Sequence, residues 1–367
     1  MRRRRGATLL LLAASCAAAL LLAEAAVRLF FPQPLRPAWD DDLHGLRVAR
    51  PGVHGRHVQP GAFDVRVNIN GQRLRGRRDY PPAPPPGTTR IAVLGDSMAF
   101  GWGAEDDATY PARVEQALRG RGLAVEVMNA GFPGTSAGEK VAWYEEGVRA
   151  LQPRLVVLTL LGDDVDGDFY WRAFRLDNGR AVSTAVAERA AAARAARSLL
   201  SRVPGSDALA AHSQAFGLFR RGLTRALSRE RTTALGQRPA TPEEQRRFRE
   251  EGLPLLRAEI ARLQDDTRGQ GARLALVVVP FRQGVYGDPG WWAEELRWKS
   301  RAVAEESARA AAALGLPFLD TTPALADRAR AAPALYHQGA ETHPTPAGYQ
   351  AIAEEVAAFL RDSGLVP

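Results

Sequence analysis

Cysteine is almost absent. Cys16 is the single one in 367 residues, so neither an intrachain disulfide nor a cysteine-ligated metal is open to this chain. Histidine is sparse as well, six in all, and no His-x-x-x-His pair occurs. His44, His54, His57, His212 and His337 are scattered and read as structural or surface residues. No basic run is interleaved with aromatics and no recognition motif for nucleic acid stands out, although basic residues outnumber acidic ones by eight. Nearly all of the basic residues are arginine, and Arg2 to Arg5 account for half of that excess. No internal repeat and no cofactor motif is present, and no metal is expected.

What the sequence does have, at its start, is a long apolar run. Four arginines precede an uninterrupted stretch from Ala7 to Ala23, and "EAAVRLFFP" can complete a bilayer span of roughly 20 residues. Arginine clusters stay cytoplasmic, so an uncleaved signal anchor would hold the rest of the chain outside, in the periplasm of a bacterium. Ala23-Glu24-Ala25 also fits a signal-peptidase site, which would release the protein, and "AASC" has a faint lipoprotein character. The expected organisation is a cytoplasmic arginine cluster and single-pass anchor over 1–31, then an extension over 32–88. In that extension "FDVRVNINGQRLRG" predicts a hairpin turning at Asn70-Gly71, and "YPPAPPPGTT" a stiff connector.

From residue 89 to 367 apolar runs alternate with helical patterns. "RIAVLG", "AVEVMNAG", "RLVVLTLLG", "RLALVVVPF" and "LPFLDTT" are strands without polar alternation, which predicts a parallel sheet covered on both faces. The fold class is therefore α/β, a doubly wound, flavodoxin-like sheet of five parallel strands with helices on both faces. Its sites should lie at the carboxyl ends of the strands. A helical insertion is expected over about 165–240, including "VAERAAAARAARSLLSRV", and a helix should open at Thr241 with the capping box "TPEE".

Three strand ends carry residues able to do chemistry. "VLGDSMAFGWG" puts Ser97 where the first strand stops; an ordinary helix cap would use Asp or Ser there too. "NAGFPGTSAG" follows the second strand, with Gly134 able to bring its backbone close to a ligand. "GAETHPTPAGY" places Glu341 two residues before His343, ahead of the last helix. The acidic stretch "LLGDDVDGDF" follows the third strand. Its spacing fails a calcium loop, because Gly167 falls fourth and Arg175 twelfth counted from Asp164, so Asp166 and Asp168 read as solvated turn residues. "GTSAG" matches a nucleophile elbow around Ser136, but "NAGFP" separates it from its strand.

Together, "GDS", "NAGFPG", "GDD" and "ETH" resemble the blocks of the SGNH, or GDSL-type, hydrolases over roughly Arg90 to Arg361. The anchor and "NINGQRLRG" are similar to those of envelope-bound members. The resemblance implies Ser97 as nucleophile, His343 as base and Glu341 as the carboxylate that orients it. It implies an oxyanion hole of the Ser97 and Gly134 N–H groups and the side chain at 163, where the family has asparagine and this chain has Asp163. An ionised carboxylate cannot donate; a protonated one can, and Asp164 next door would favour protonation. The implied activity is that of a serine esterase or acyl (acetyl) transferase acting on an acylated carbohydrate of the envelope or an exported one. A lipid esterase or thioesterase would use the same residues, and a catalytically silent module binding envelope polysaccharide is the alternative from another class. The membrane is the expected partner of the N-terminal helix.

Overall fold

The structure is a computed structural model that describes residues 2–43, 46–170, 174–178, 180–183, 205–206, 209, 212–227, 239–331, 334–338 and 342–367. The alanine- and arginine-rich stretch "VAERAAAARAARSLLSRV" and Glu341 lie outside the described residues.

The chain is α/β. Five strands form one parallel sheet: β5 (Thr89–Gly95), β6 (Val125–Gly131), β7 (Leu155–Leu160), β10 (Arg273–Val278) and β11 (Phe318–Asp320). Their order across the sheet is β11-β10-β7-β5-β6, with every pairing parallel. The first strand thus lies between the second and third, and a crevice opens beyond its carboxyl end where the winding reverses. Alternation within the apolar runs sends side chains to two separate cores. Ile91, Val93, Val127 and Val157 pack under the C-terminal helix Pro346–Asp362, together with Val114 and Leu118 of helix α3 (Tyr110–Arg119). Ala92, Leu94, Val156 and Leu158 pack on the other face with helix α4 (Ala137–Glu146) and the helix Leu253–Gly269. Both faces of these strands therefore call for apolar side chains.

Helix α1 (Arg2–Phe30) includes Gly6–Phe30, long and apolar enough to cross a membrane; secretory signal sequences share that property. Just beyond it the chain folds onto the catalytic-looking unit. Hairpin β1 (Asp40–Leu43) with β2 (Leu46–Ala49) is followed by β3 (His54–Gln59), which pairs antiparallel with β4 (Phe63–Asn68). The "FDVRVN" strand is as expected, but its partner lies upstream. The Asn70-Gly71 turn closes only the single bridge Ile69 to Arg75, and Arg75 bridges in turn to Asn129 on sheet edge β6. Trp39, Val53, Val67 and Ile69 bury against Phe100 and Phe132 in a third core. The proline-rich connector is strapped down: the buried Arg90 donates to the carbonyls of Pro81 at 2.7 Å and Pro82 at 3.1 Å.

The acidic stretch after β7 is a helix, α5 (Asp164–Tyr170), and not a turn. A hairpin of β8 (Phe174–Asp177) and β9 (Arg180–Ser183) follows, then a helix Gln214–Leu227. Glu24 of α1 accepts from the backbone N–H groups of Gln214 and Ala215 and from Ser213 Oγ, capping that helix. The Thr241 capping box forms with both reciprocal hydrogen bonds, and Pro242 opens the helix.

Candidate functional site

Strand β5 ends at Gly95, where a side chain would bring its first carbon to 2.5 Å from Ala99 Cβ. Glycine there lets helix α2 (Ser97–Phe100) turn directly off the strand. Asp96 caps that helix, accepting from the Met98 N–H at 2.8 Å, so Ser97 stands half-buried at the head of the crevice. From the far end of the chain, the loop before the last helix brings His343 to the same point. The loop is pinned by the His337 N–H donating to the His343 carbonyl at 3.0 Å. The last helix is capped by Thr345, which accepts from the Gly348 N–H at 3.2 Å. His343 Nε2 lies 2.8 Å from Ser97 Oγ. The Trp102 ring stacks on the imidazole, centroids 5.3 Å apart and planes 25° off parallel, and Tyr349 Oη donates to the Trp102 carbonyl at 2.9 Å.

Two loops flank this pair, after the neighbouring strands β6 and β7. Gly134 has φ of +71°, a conformation that favours glycine. Ser136 caps α4 and donates to Asp168 Oδ1 at 2.6 Å, so its hydroxyl is engaged in structure, and among the described residues no histidine hydrogen-bonds to it as the elbow reading needs. After β7, the carboxyl oxygens of Asp163, Asp164 and Asp96 come within 4.8 Å of one another. Asp164 and Asp96 are buried, and their counter-charge is Lys140. Its ammonium donates to Asp164 and, at 3.0 Å, to the Thr159 carbonyl, and lies 3.7 Å from Asp96 Oδ2. Burial opposes the charge on Lys140, but Asp164 and Asp96 outweigh it and hold its pKa above the usual lysine value. Asp163 is exposed as a residue, with its carboxyl close to those of Asp96 and Asp164. Loss of water around the carboxyl, then the charges of Asp96 and Asp166, push its pKa up to about 7. The charges acting on it are chiefly these two; Asp164 is turned to Lys140 and to the Leu161 N–H, which donates to it at 2.8 Å.

Asp168 is not solvated, and Asp166 is only partly so, with 32% of its side chain exposed. Asp168 is 1% exposed and accepts from Ser136 and, at 3.0 Å, from the Gly138 N–H. Burial raises it to about 7 against those hydrogen bonds. Asp166 pairs with Lys299 at 2.9 Å. Partners far along the chain take up charge that the local sequence offers only to water.

Of the residues singled out beforehand, Ser97 and His343 are therefore in hydrogen-bond contact. Gly134 and Asp163 stand on the two loops beside them, and Glu341 falls outside the described residues. Lys140, Trp102 and Arg47 (below) went unnoticed. A signal existed for the first: Lys140 and Lys299 are the two lysines in a sequence otherwise supplied with arginine, and both are buried against aspartates.

Among curated proteins none is similar enough in sequence to count as a match. Similar solved structures include a lipase/acylhydrolase from Enterococcus faecalis, 15% identical, covering 76% of this chain and 97% of that one, with a TM-score of 0.43. Another is an acetylxylan esterase from Geobacillus stearothermophilus, 17% identical, covering 75% and 94%, with a TM-score of 0.42. The description "GDSL-like Lipase/Acylhydrolase family" matches residues 93–351, well over half of the sequence, and the chain belongs to that family.

Proposed function

We propose that this protein is a serine esterase or acyltransferase held at the inner membrane by α1, its catalytic unit facing the periplasm. Its substrate class is an acylated (acetylated) carbohydrate, because a unit outside the cytoplasmic membrane meets envelope and exported polysaccharide; lipid esters or thioesters fit the same chemistry. The observation that carries the reading is the 2.8 Å contact between Ser97 Oγ and His343 Nε2 at the carboxyl end of β5.

In this reading neutral His343 accepts the Ser97 proton at Nε2 as Oγ attacks the ester carbonyl. The carbonyl oxygen becomes an oxyanion, met by the N–H groups of Ser97 and Gly134. His343 then returns the proton to the leaving alcohol, and an acyl-serine remains. Water attacking that acyl group completes hydrolysis; a sugar hydroxyl attacking it completes transfer. Trp102 keeps the imidazole plane fixed and offers its π face to the imidazolium. Glu341, two residues upstream, would complete the triad at Nδ1. A fluorophosphonate probe applied to the full chain in detergent should label Ser97 and leave Ser97→Ala unlabelled; equal labelling of the two would overturn the proposal.

Asp163 supplies a pH prediction. Below about 7 its carboxyl is protonated and can serve as the third oxyanion donor; above that it ionises and opposes the developing charge. Wild-type turnover of p-nitrophenyl acetate, corrected for spontaneous hydrolysis, should therefore decline as pH rises through 7. Asp163→Asn should match wild type near pH 6 and exceed it at pH 8.5 by ~10-fold or more, since one such donor is worth on the order of 10²–10³. A large loss at pH 6 on this substitution would show that Asp163 is not a donor. The same residue is what favours a silent polysaccharide-binding module, a reading that the absence of Ser97 labelling at both pH values would support.

A further inference from the structure

The family match begins at residue 93, yet one side chain from the extension before it reaches the loop that carries Gly134. Arg47, on β2, contacts two consecutive residues of that loop and lies beside the third. Its guanidinium lies 4.9 Å above the Phe132 ring and donates to the Pro133 carbonyl. A side chain at Gly134 would bring its first carbon to 3.4 Å from Arg47 Nη2. Asp40, on the partner strand β1, lies 3.5 Å from Arg47 Nε.

The Pro133 carbonyl and the Gly134 N–H belong to one peptide unit. That unit is planar, and no cis peptide occurs among the described residues, so its C=O and N–H point in opposite directions. A hydrogen bond that fixes the carbonyl on one side therefore fixes the N–H on the other. The constraint has work to do here because Gly134 sits at φ of +71° without a side chain, and glycine crosses between backbone regions more readily than any other residue. A cation on the carbonyl also draws electron density through the amide and makes the N–H a better donor.

We propose that Arg47 is a positioning residue: by binding the Pro133 carbonyl it aims and polarises the Gly134 N–H as an oxyanion donor. This rests on the esterase reading above. The extension is then part of the catalytic unit and not a tether. A second contact from it points the same way. Trp39 and His57 pack edge-on to Trp102, at 5.9 Å and 4.4 Å between centroids, and Trp102 is the ring stacked on His343.

The test uses the full chain in detergent, with p-nitrophenyl acetate turnover at pH 6.5 for wild type, Ser97→Ala, Arg47→Ala and Arg47→Lys, and melting temperatures for each. Arg47→Ala should lose roughly 10- to 100-fold in kcat with KM within about twofold, a fraction of what deleting an oxyanion donor costs. Arg47→Lys, which keeps a charged donor, should recover most of it. Arg47→Ala with kcat within twofold of wild type overturns the inference while leaving the esterase reading intact. Wild type no faster than Ser97→Ala overturns both. Should Arg47→Ala fail to fold, Arg47→Lys decides between them alongside Arg47→Gln, a neutral donor: equal kcat in all three folded proteins would overturn the role.

Discussion

Ser97→Ala should abolish ester turnover, with kcat falling by roughly 10⁴-fold or more, as loss of the nucleophile does in other serine hydrolases. The substitution is well suited to the question because it leaves the surroundings in place. Ser97 opens α2, whose cap is the Asp96 side chain and not the serine hydroxyl, so alanine keeps the helix and its backbone N–H. What disappears is the atom 2.8 Å from His343 Nε2. The melting temperature should move by no more than about 2 °C, since a half-exposed hydroxyl bonded to one ring nitrogen contributes about 1 kcal/mol. Turnover in Ser97→Ala equal to wild type, after subtracting spontaneous hydrolysis, would remove Ser97 from the chemistry. In that case Ser136→Ala is the comparison to make.

Lys140→Met should produce the largest loss of stability of any single substitution considered. Methionine matches the volume of the lysine stem but takes away the one cation next to two buried carboxylates, Asp164 with no exposed side-chain surface and Asp96 with 4%. Leaving a buried charge without its partner costs about 3–5 kcal/mol. For a folded unit of this size that lowers the melting temperature by roughly 6–20 °C. The pH dependence has a definite sign. Without Lys140, the buried Asp164 is easier to keep protonated than it is in the unfolded chain, so the folded form holds the extra proton. The deficit is then smallest in acid and grows as pH rises from the ordinary carboxylate range toward neutrality. Calorimetric melts at pH 5 and pH 8 measure this. The double variant Lys140→Met/Asp164→Asn should regain part of the loss, because it removes the orphaned charge. A melting temperature within 2 °C of wild type at pH 8 would show that the pair contributes nothing net.

The sheet strands could be read directly because four of them are buried along nearly their whole length and so are mainly apolar, with Glu126 and Asn129 the exceptions inside β6, while β11 is half-buried. Ser97 and His343 could be read because their neighbours form compact blocks at strand and helix ends. The mistakes have a common cause in long-range partnership. Asp166 and Asp168 look solvated when only their neighbours are considered, but Lys299 lies 133 positions away and Ser136 lies 32 positions back. Arg47 is one arginine among dozens, and its target is 86 positions downstream. The pairing of Phe63–Asn68 was assigned to the visible Asn-Gly turn, whereas its true partner, "HGRHVQ", hides its strand character behind histidine, glycine and glutamine.

The Ser97–His343 contact spans 246 positions, from the first strand of the sheet to the loop before the final helix. That helix seats only when Tyr349, Ile352 and Val356 meet Tyr110 and Val114 of α3, with Gly348 passing so close to the Leu335 carbonyl that no side chain would fit. Synthesis runs from the amino-terminal end, so Ser97 precedes His343 by nearly the whole length of the unit. Contacts this distant in sequence close late in folding. On the proposed esterase reading, a nascent or clipped chain therefore carries Ser97 without His343, and ester cleavage becomes a marker that the last helix has docked.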